Sequence, residues 1–135
     1  MDIKKFSMAV VGGFFAMYIL GSLWHAVLMH NFYEKYGGDS MLTEPNLLFI
    51  ILGVLILAVL MAYMYPQGYK GGSPLKEGLR FGVVIGLLWI LPYNVIMIGV
   101  VGTSKTLVVV DALWHIVEQG VGGIVIGYIY RSKSS

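Results

Sequence analysis

The feature that most constrains this chain is a set of four apolar stretches, each about as long as a membrane crossing. They lie at about residues 6–29, 47–65, 79–101 and 107–130. A helix needs roughly 20 mainly apolar residues to cross the hydrocarbon core of a bilayer. The connections between the stretches are short, so no linker separates domains. We therefore predict an all-α fold, in which residues 1–135 form a single integral membrane bundle of four transmembrane helices.

The composition supports a membrane protein. Of the 135 residues, 58% are hydrophobic and 12% are charged. A small soluble domain would need far more polar surface, because it has a large surface for its volume. The chain has no cysteine, which excludes disulfides and thiolate metal sites. The first apolar stretch is too long for the apolar region of a signal peptide, so we expect it to be retained as a span.

The basic residues predict the orientation of the bundle, since Lys and Arg are more frequent on the cytoplasmic side of a membrane. Seven of the nine flank the amino terminus, the middle connection and the carboxyl terminus: Lys4, Lys5, Lys70, Lys76, Arg80, Arg131 and Lys133. The other side carries Lys35 and Lys105. We predict a multi-pass protein of the inner (cytoplasmic) membrane with both termini in the cytoplasm.

The fourth span carries an unusual polar face. Asp111, His115 and Glu118 follow one another at i, i+4 and i+7, with Gln119 beside them. This spacing places them on one face of a helix. Ionisable groups inside a membrane are expensive and mark a functional site by default. We expect this face to point into the bundle or into a water-filled cavity.

Two other spans place polar residues at a similar depth. At ~1.5 Å per residue, Asp111 lies about 6 Å, His115 about 12 Å and Glu118 about 16 Å from the outer surface. His25 of the first span lies at about 7 Å, and Asn94 of the third span at about 10 Å. The predicted ligand or proton site therefore consists of His25, Asn94, Asp111, His115, Glu118 and Gln119.

Three functions remain open for these residues. Imidazole and carboxylate groups suit a divalent metal ion or the transfer of a proton, with His25, Asp111, His115 and Glu118 as the candidate metal ligands. His25 and His115 on two helices suit the axial ligands of haem b in a redox subunit. The same residues could instead fix helix packing in a structural or accessory membrane subunit. We place binding or transport of a cation or proton first, because carboxylates flank His115.

The sequence lacks motifs that would name a reaction. It has no phosphate-binding glycine loop, no HExxH and no nucleophile elbow, so enzymatic activity is left undetermined. No basic patch points to nucleic acid. We interpret Trp24, Trp114 and Tyr33 as interfacial or packing aromatics. The triplet LWH occurs twice, ending at His25 and at His115, and we treat this as coincidence because the two spans run in opposite directions.

Small residues spaced four apart predict close helix packing. The third span carries Gly78, Gly82 and Gly86, and the fourth carries Gly123 and Gly127. Such a stripe serves packing within one bundle or between two copies. We expect a homo-oligomer in the lipid bilayer, because one bundle this small offers little interior for a site. A partner in a membrane complex is not identified by the sequence.

The layout resembles small bacterial four-helix membrane proteins classed as domains of unknown function. The resemblance rests on three segments: GSLWHAVLMHNFYEKYG, EGLRFGVVIGLLWILP and VEQGVGGIVIGYIY. It implies the four-span topology. It implies no activity, because these proteins carry none that is agreed.

Overall fold

The computed structural model describes residues 2–38 and 44–131, which form helices joined by short connections and include no strand. The five α-helices and one π-helical segment are α1 (Ile3–Ser22), the π-helical segment (Leu23–Leu28), α2 (His30–Tyr36), α3 (Leu47–Gly68), α4 (Pro74–Val101) and α5 (Lys105–Arg131).

Four helices are long and apolar enough to cross a membrane: Ile3–Leu28, Leu47–Gly68, Pro74–Val101 and Lys105–Arg131. The predicted fold class is thereby confirmed, and the chain is a multi-pass helical membrane protein. α2 is a short additional helix that continues from the first span. The placement of the termini in the cytoplasm remains a prediction.

Side-chain caps fix where the long helices begin. The Asp2 and Asn46 side chains accept from the backbone N–H groups of Lys5 (3.1 Å) and Leu48 (3.1 Å). Ser73 accepts from Lys76 N at 3.3 Å and is followed by Pro74 at the first helical position. Pro is favoured there because its ring fixes a helical φ and the missing N–H would have no partner. α4 therefore begins about one turn before the apolar stretch predicted at residues 79–101.

α3 continues past the end predicted for the second span. Pro66 lacks the N–H that would bond to the Ala62 carbonyl four residues earlier. The hydroxyl of Tyr130 donates to that carbonyl instead, at 2.7 Å. Because the freed carbonyl has this partner from α5, the helix extends through Pro66 to Gly68.

α5 lies at the centre of the bundle and packs against α1, α3 and α4. Its closest neighbour is α4, because the predicted glycine stripe lies between these two helices. Added Cβ atoms at Gly78, Gly82 and Gly86 would collide with α5 backbone at Gly123, Gln119 and His115, respectively. The stripe thus serves packing within one bundle, and the expected homo-oligomer remains a prediction.

The two ends of the bundle differ in charge. Lys5 Nζ donates to the carbonyl of Tyr130 at 3.3 Å, so the start of α1 lies beside the end of α5. The end of α3 and the start of α4 lie there too, since the ring of Tyr65 contacts Phe81 and Tyr130. We call this the basic end. It carries the six described members of the predicted cytoplasmic set, while Lys133 lies outside the described residues.

Candidate functional site

The predicted site residues come together at the end of the bundle opposite the basic end. The π-helical segment, α4 and α5 supply the six predicted residues, and α2 supplies one more. We call this set the polar cluster: His25, Tyr33, Asn94, Asp111, His115, Glu118 and Gln119.

Asp111 lies at the centre of the polar cluster. Its Oδ1 accepts a hydrogen bond from the Tyr33 hydroxyl at 2.8 Å, and its Oδ2 accepts from Asn94 Nδ2 at 3.0 Å. The two donors come from different helices, α2 and α4. The carboxylate therefore has a fixed orientation with both oxygens satisfied, as a charged group away from bulk water requires.

Two imidazole rings face the same carboxylate oxygen. His25 Nε2 and His115 Nε2 each lie 3.9 Å from Asp111 Oδ1. The ring centroids are 6.5 Å apart. Both rings thus direct the same nitrogen at one oxygen, although they come from helices that run in opposite directions.

The other nitrogen of each ring is used as a donor. His25 Nδ1 lies 2.9 Å from the carbonyl oxygen of Gly21, and His115 Nδ1 lies 3.1 Å from Oε1 of Gln119. A carbonyl oxygen only accepts, so each Nδ1 carries a hydrogen. In a neutral imidazole this leaves Nε2 without a proton, and its lone pair is free.

Glu118 forms the deepest part of the polar cluster. Trp114 Nε1 donates to its Oε2 at 2.8 Å, and Gln119 Nε2 donates to its Oε1 at 3.2 Å. His115 Nδ1 lies 3.8 Å from Oε2. An added Cβ on Gly21 would lie 3.4 Å from that same oxygen, at van der Waals contact, so α1 packs against the carboxylate at Gly21.

Aromatic rings frame the cluster, which the sequence did not predict. The rings of Trp24 and Trp114 stack with centroids 4.3 Å apart and planes 2° from parallel. Trp24 Nε1 donates to the Tyr33 hydroxyl at 3.1 Å, and this hydroxyl in turn donates to Asp111. The two LWH triplets therefore face each other, Trp on Trp and His beside His, and the repeat was the signal that could have revealed this pairing.

Tyr33 remains a hydrogen-bond donor over a wide pH range. Burial of its hydroxyl, together with the negative charge of the nearby Asp111, raises the pKa of Tyr33 well above its usual value. Its hydroxyl thus keeps the proton that it donates to Asp111 at any physiological pH.

Exposure falls steadily with depth in the cluster. The His25 side chain is 42% exposed, Asp111 and His115 are 14% and 12% exposed, and Glu118 is 6% exposed. Beyond Glu118, no Asp, Glu, His, Lys or Arg follows in any span until Glu77, Arg80 and the other charged residues of the basic end. The cluster is therefore open to one end of the bundle and closed toward the other.

The donor types in the cluster suit a divalent cation, but their arrangement is not that of a formed metal site. Among residues 2–38 and 44–131, no group of three or more His, Asp or Glu side chains is placed to hold a metal ion. The four predicted metal ligands are neighbours, and metal binding by them remains a prediction.

The geometry disfavours a haem between His25 and His115. Axial ligation requires the two Nε2 atoms to face an iron with the porphyrin lying between the rings. Asp111 Oδ1 lies equally close to both nitrogens, and the stacked Trp rings pack beside them. A porphyrin would have to displace the carboxylate and separate the helices.

Four helices long and apolar enough to span a membrane define the class of protein, a small multi-pass helical membrane protein. Residues 8–127 match the family described as "Protein of unknown function (DUF1761)", and the chain belongs to that family. This confirms the resemblance to membrane proteins classed as domains of unknown function. No curated protein and no solved structure matches the chain.

Proposed function

We propose that this protein reversibly binds a proton in the polar cluster, taking it up from the end of the bundle opposite the basic end. The observation that carries the proposal is that His25 Nε2 and His115 Nε2 each lie 3.9 Å from the same carboxylate oxygen, Oδ1 of Asp111. Lone pairs on Nε2 and negative charge on Oδ1 repel one another. A single proton on either nitrogen converts that repulsion into an imidazolium–carboxylate attraction.

The surroundings of the cluster support one-sided binding rather than a continuous path across the membrane. His25, the most exposed member, is the entry group, and Asp111 and His115 receive the proton. Glu118 is the innermost ionisable side chain of the polar cluster, because no charged side chain follows it before the basic end. Transport through this site would therefore require the bundle to expose the cluster to the other side.

Proton uptake by the purified protein tests the proposal. The protein in weakly buffered detergent is titrated from about pH 8 to about pH 5, where histidine normally changes charge. The double variant H25Q/H115Q is expected to take up fewer protons than the unmodified chain. This loss is expected to exceed the loss found for H30Q by at least one proton. His30 is the matched control, because it is exposed and, among the described residues, its ion pair is with Glu34 of its own helix.

Elemental analysis of the same preparations separates a proton from a metal ion. A stoichiometric metal that is present in the unmodified chain and absent from H25Q/H115Q would replace the proton proposal with a cation site. Equal proton uptake by the unmodified chain and the double variant would leave a helix-locking network as the role of the cluster.

The hydrogen bonds themselves favour that structural role as the second candidate. Tyr33 and Asn94 both bond to Asp111, so one carboxylate ties α2 and α4 to α5. In this case D111N would lower the thermal stability of the protein by the same amount at every pH between about 5 and 8. If the cluster binds a proton, the loss of thermal stability caused by D111N would change with pH.

A further inference from the structure

Two adjoining cavities lie at the basic end, far from the polar cluster, and share the rings of Tyr65 and Tyr69 as walls. The larger, about 260 Å³, lies between the end of α3 and the start of α4. The smaller, about 200 Å³, is bounded by Pro66, Pro74 and the end of α5. We call them the Tyr65 cavities.

The Tyr65 hydroxyl has no hydrogen-bond partner within the described part of the chain, although the residue is only 3% exposed. An added Cβ at Gly127 would lie 2.8 Å from this oxygen. The glycine therefore makes room for the hydroxyl at the wall of the smaller cavity. Buried hydroxyls nearly always have a partner, because leaving one unpaired is costly. The missing partner therefore lies outside the described residues.

The charges that line the Tyr65 cavities are mainly positive. Among the described residues, Lys70 and Arg80 line the larger cavity and Arg131 lines the smaller one, against one carboxylate, that of Glu77. Arg80 uses Nη2 to donate to Glu77 Oε2 at 2.8 Å and to the Gly68 carbonyl at 3.2 Å. Its remaining N–H groups and the other two cations leave the site with an excess of positive charge.

The remaining walls are apolar and reach the outer surface of the bundle. Phe81 and Val84 line the larger cavity, and Val84 is 57% exposed on the outer surface of the bundle. Tyr65 lies three residues from the end of α3, about 5 Å along the helix axis, and so near the membrane interface. A ligand here meets cations at one end and lipid chains at the other.

We propose that the Tyr65 cavities bind the phosphate headgroup of an anionic phospholipid. Lys70 and Arg80 contact the phosphate oxygens, and the Tyr65 hydroxyl donates to the headgroup. A basic pocket between spanning helices at the interface is the arrangement by which membrane proteins hold anionic lipids. This site is independent of the proton-binding proposal.

Binding of phosphatidylglycerol and phosphatidylcholine to the delipidated protein in detergent tests the proposal. Native mass spectrometry measures the bound fraction of each lipid, and the lipid-induced rise in melting temperature gives a second measure. We expect phosphatidylglycerol to bind about tenfold more tightly, the effect of one charge-assisted contact. Inorganic phosphate at millimolar concentration is the third probe, and we expect it to leave the melting temperature unchanged.

Matched variants assign the binding to the cavities. K70Q and Y65F are each expected to reduce the preference for phosphatidylglycerol at least severalfold. K76Q and Y63F are the controls, because Lys76 and Tyr63 are exposed at the same end without lining either cavity. Y65F removes a hydroxyl that has no partner among the described residues, so we expect it to be at least as stable as the unmodified chain without lipid.

Three results would overturn the proposal. An equal loss of binding in K76Q would reduce the effect to general attraction of anions by the basic end. A rise in melting temperature with inorganic phosphate as large as that with the lipid would make free phosphate the ligand. A loss of stability of Y65F in the absence of lipid would show that the hydroxyl already has a partner in the protein.

Discussion

At the scale of single residues, Asp111 determines what the polar cluster can do. Its two oxygens are occupied by Tyr33 and Asn94, and both imidazoles face Oδ1. The carboxylate thus holds three helical elements and two titratable rings at once. A change in protonation of either ring therefore changes its electrostatic interaction with Asp111, which also fixes the packing of the bundle.

Tyr33 gives a prediction of how stability depends on pH. The raised pKa of its hydroxyl means that the folded state holds this proton more tightly than the unfolded chain. The stability from this proton is therefore fully present below about pH 10 and is lost as the pH rises above it. We expect Y33F to lose stability less steeply above about pH 10 than the unmodified chain, as measured by melting temperature against pH.

The same experiment contains its control. Y36F removes a hydroxyl from the same short helix, but this hydroxyl does not contact Asp111. If Y36F flattened the alkaline loss of stability as much as Y33F, the effect would not belong to the bond with Asp111. At lower pH, loss of that bond should cost Y33F about 1 kcal/mol.

The sequence predicted part of this site and missed another part for a physical reason. Helical spacing placed Asp111, His115 and Glu118 on one face, and the estimated depths brought His25 and Asn94 to the same level. Tyr33 was missed because it lies beyond the first span, where hydropathy gives no depth. The Trp24–Trp114 stack was missed because hydropathy does not fix the rotation of one helix against another.

At the scale of the helices, the closest contact in the bundle depends on glycine. Gly82 lies against the backbone of Gln119 and Gly120, where a Cβ has no space. This contact also fixes the level of α5 at which His115 and Glu118 face the other helices. The glycine spacing predicted close packing, but the sequence left open whether the partner was α5 or a second copy of the chain.

The substitution G82A tests this contact. An added methyl group forces the backbones of α4 and α5 apart, so we expect a loss of about 1–3 kcal/mol in unfolding free energy. G99A is the matched control on the same helix, because nothing lies within 4 Å of a Cβ at Gly99. We expect G99A to be neutral or slightly stabilising, since Ala favours helix over Gly by up to about 1 kcal/mol.

Unfolding in mixed detergent micelles measures both variants. Equal stability of G82A and G99A would contradict the packing seen between α4 and α5.

The existence of the four helices followed from hydropathy, whereas the start of α4 did not. Ser73 and Pro74 extend that helix into a polar segment that carries no apolar signal.

At the scale of the whole molecule, we propose an orientation of the bundle in the membrane from the difference in charge between its two ends. The basic end collects six of the described Lys and Arg residues, and the end with the polar cluster lies opposite. If the basic end is cytoplasmic, the polar cluster opens to the outside of the cell. It would then take up its proton from the extracytoplasmic phase.

Single cysteines test this orientation cleanly, because the chain contains none of its own. A membrane-impermeant maleimide is expected to label K105C in intact cells and to leave K76C unlabelled until the cells are lysed. Lys76 precedes the membrane part of α4 and Lys105 begins α5, so the two report on opposite ends. The reverse labelling pattern would place the cluster toward the cytoplasm.

The most direct test of the proton-binding account is the titration of the two clustered histidines by ¹⁵N NMR in lipid nanodiscs. The H30Q background leaves only His25 and His115 in the spectrum, since the chain has three histidines. The account predicts that both Nδ1 atoms stay protonated, and that the two Nε2 signals change together between about pH 8 and pH 5 because the rings share Asp111. Two Nε2 signals that do not change over this range, or that change independently of each other, would contradict it.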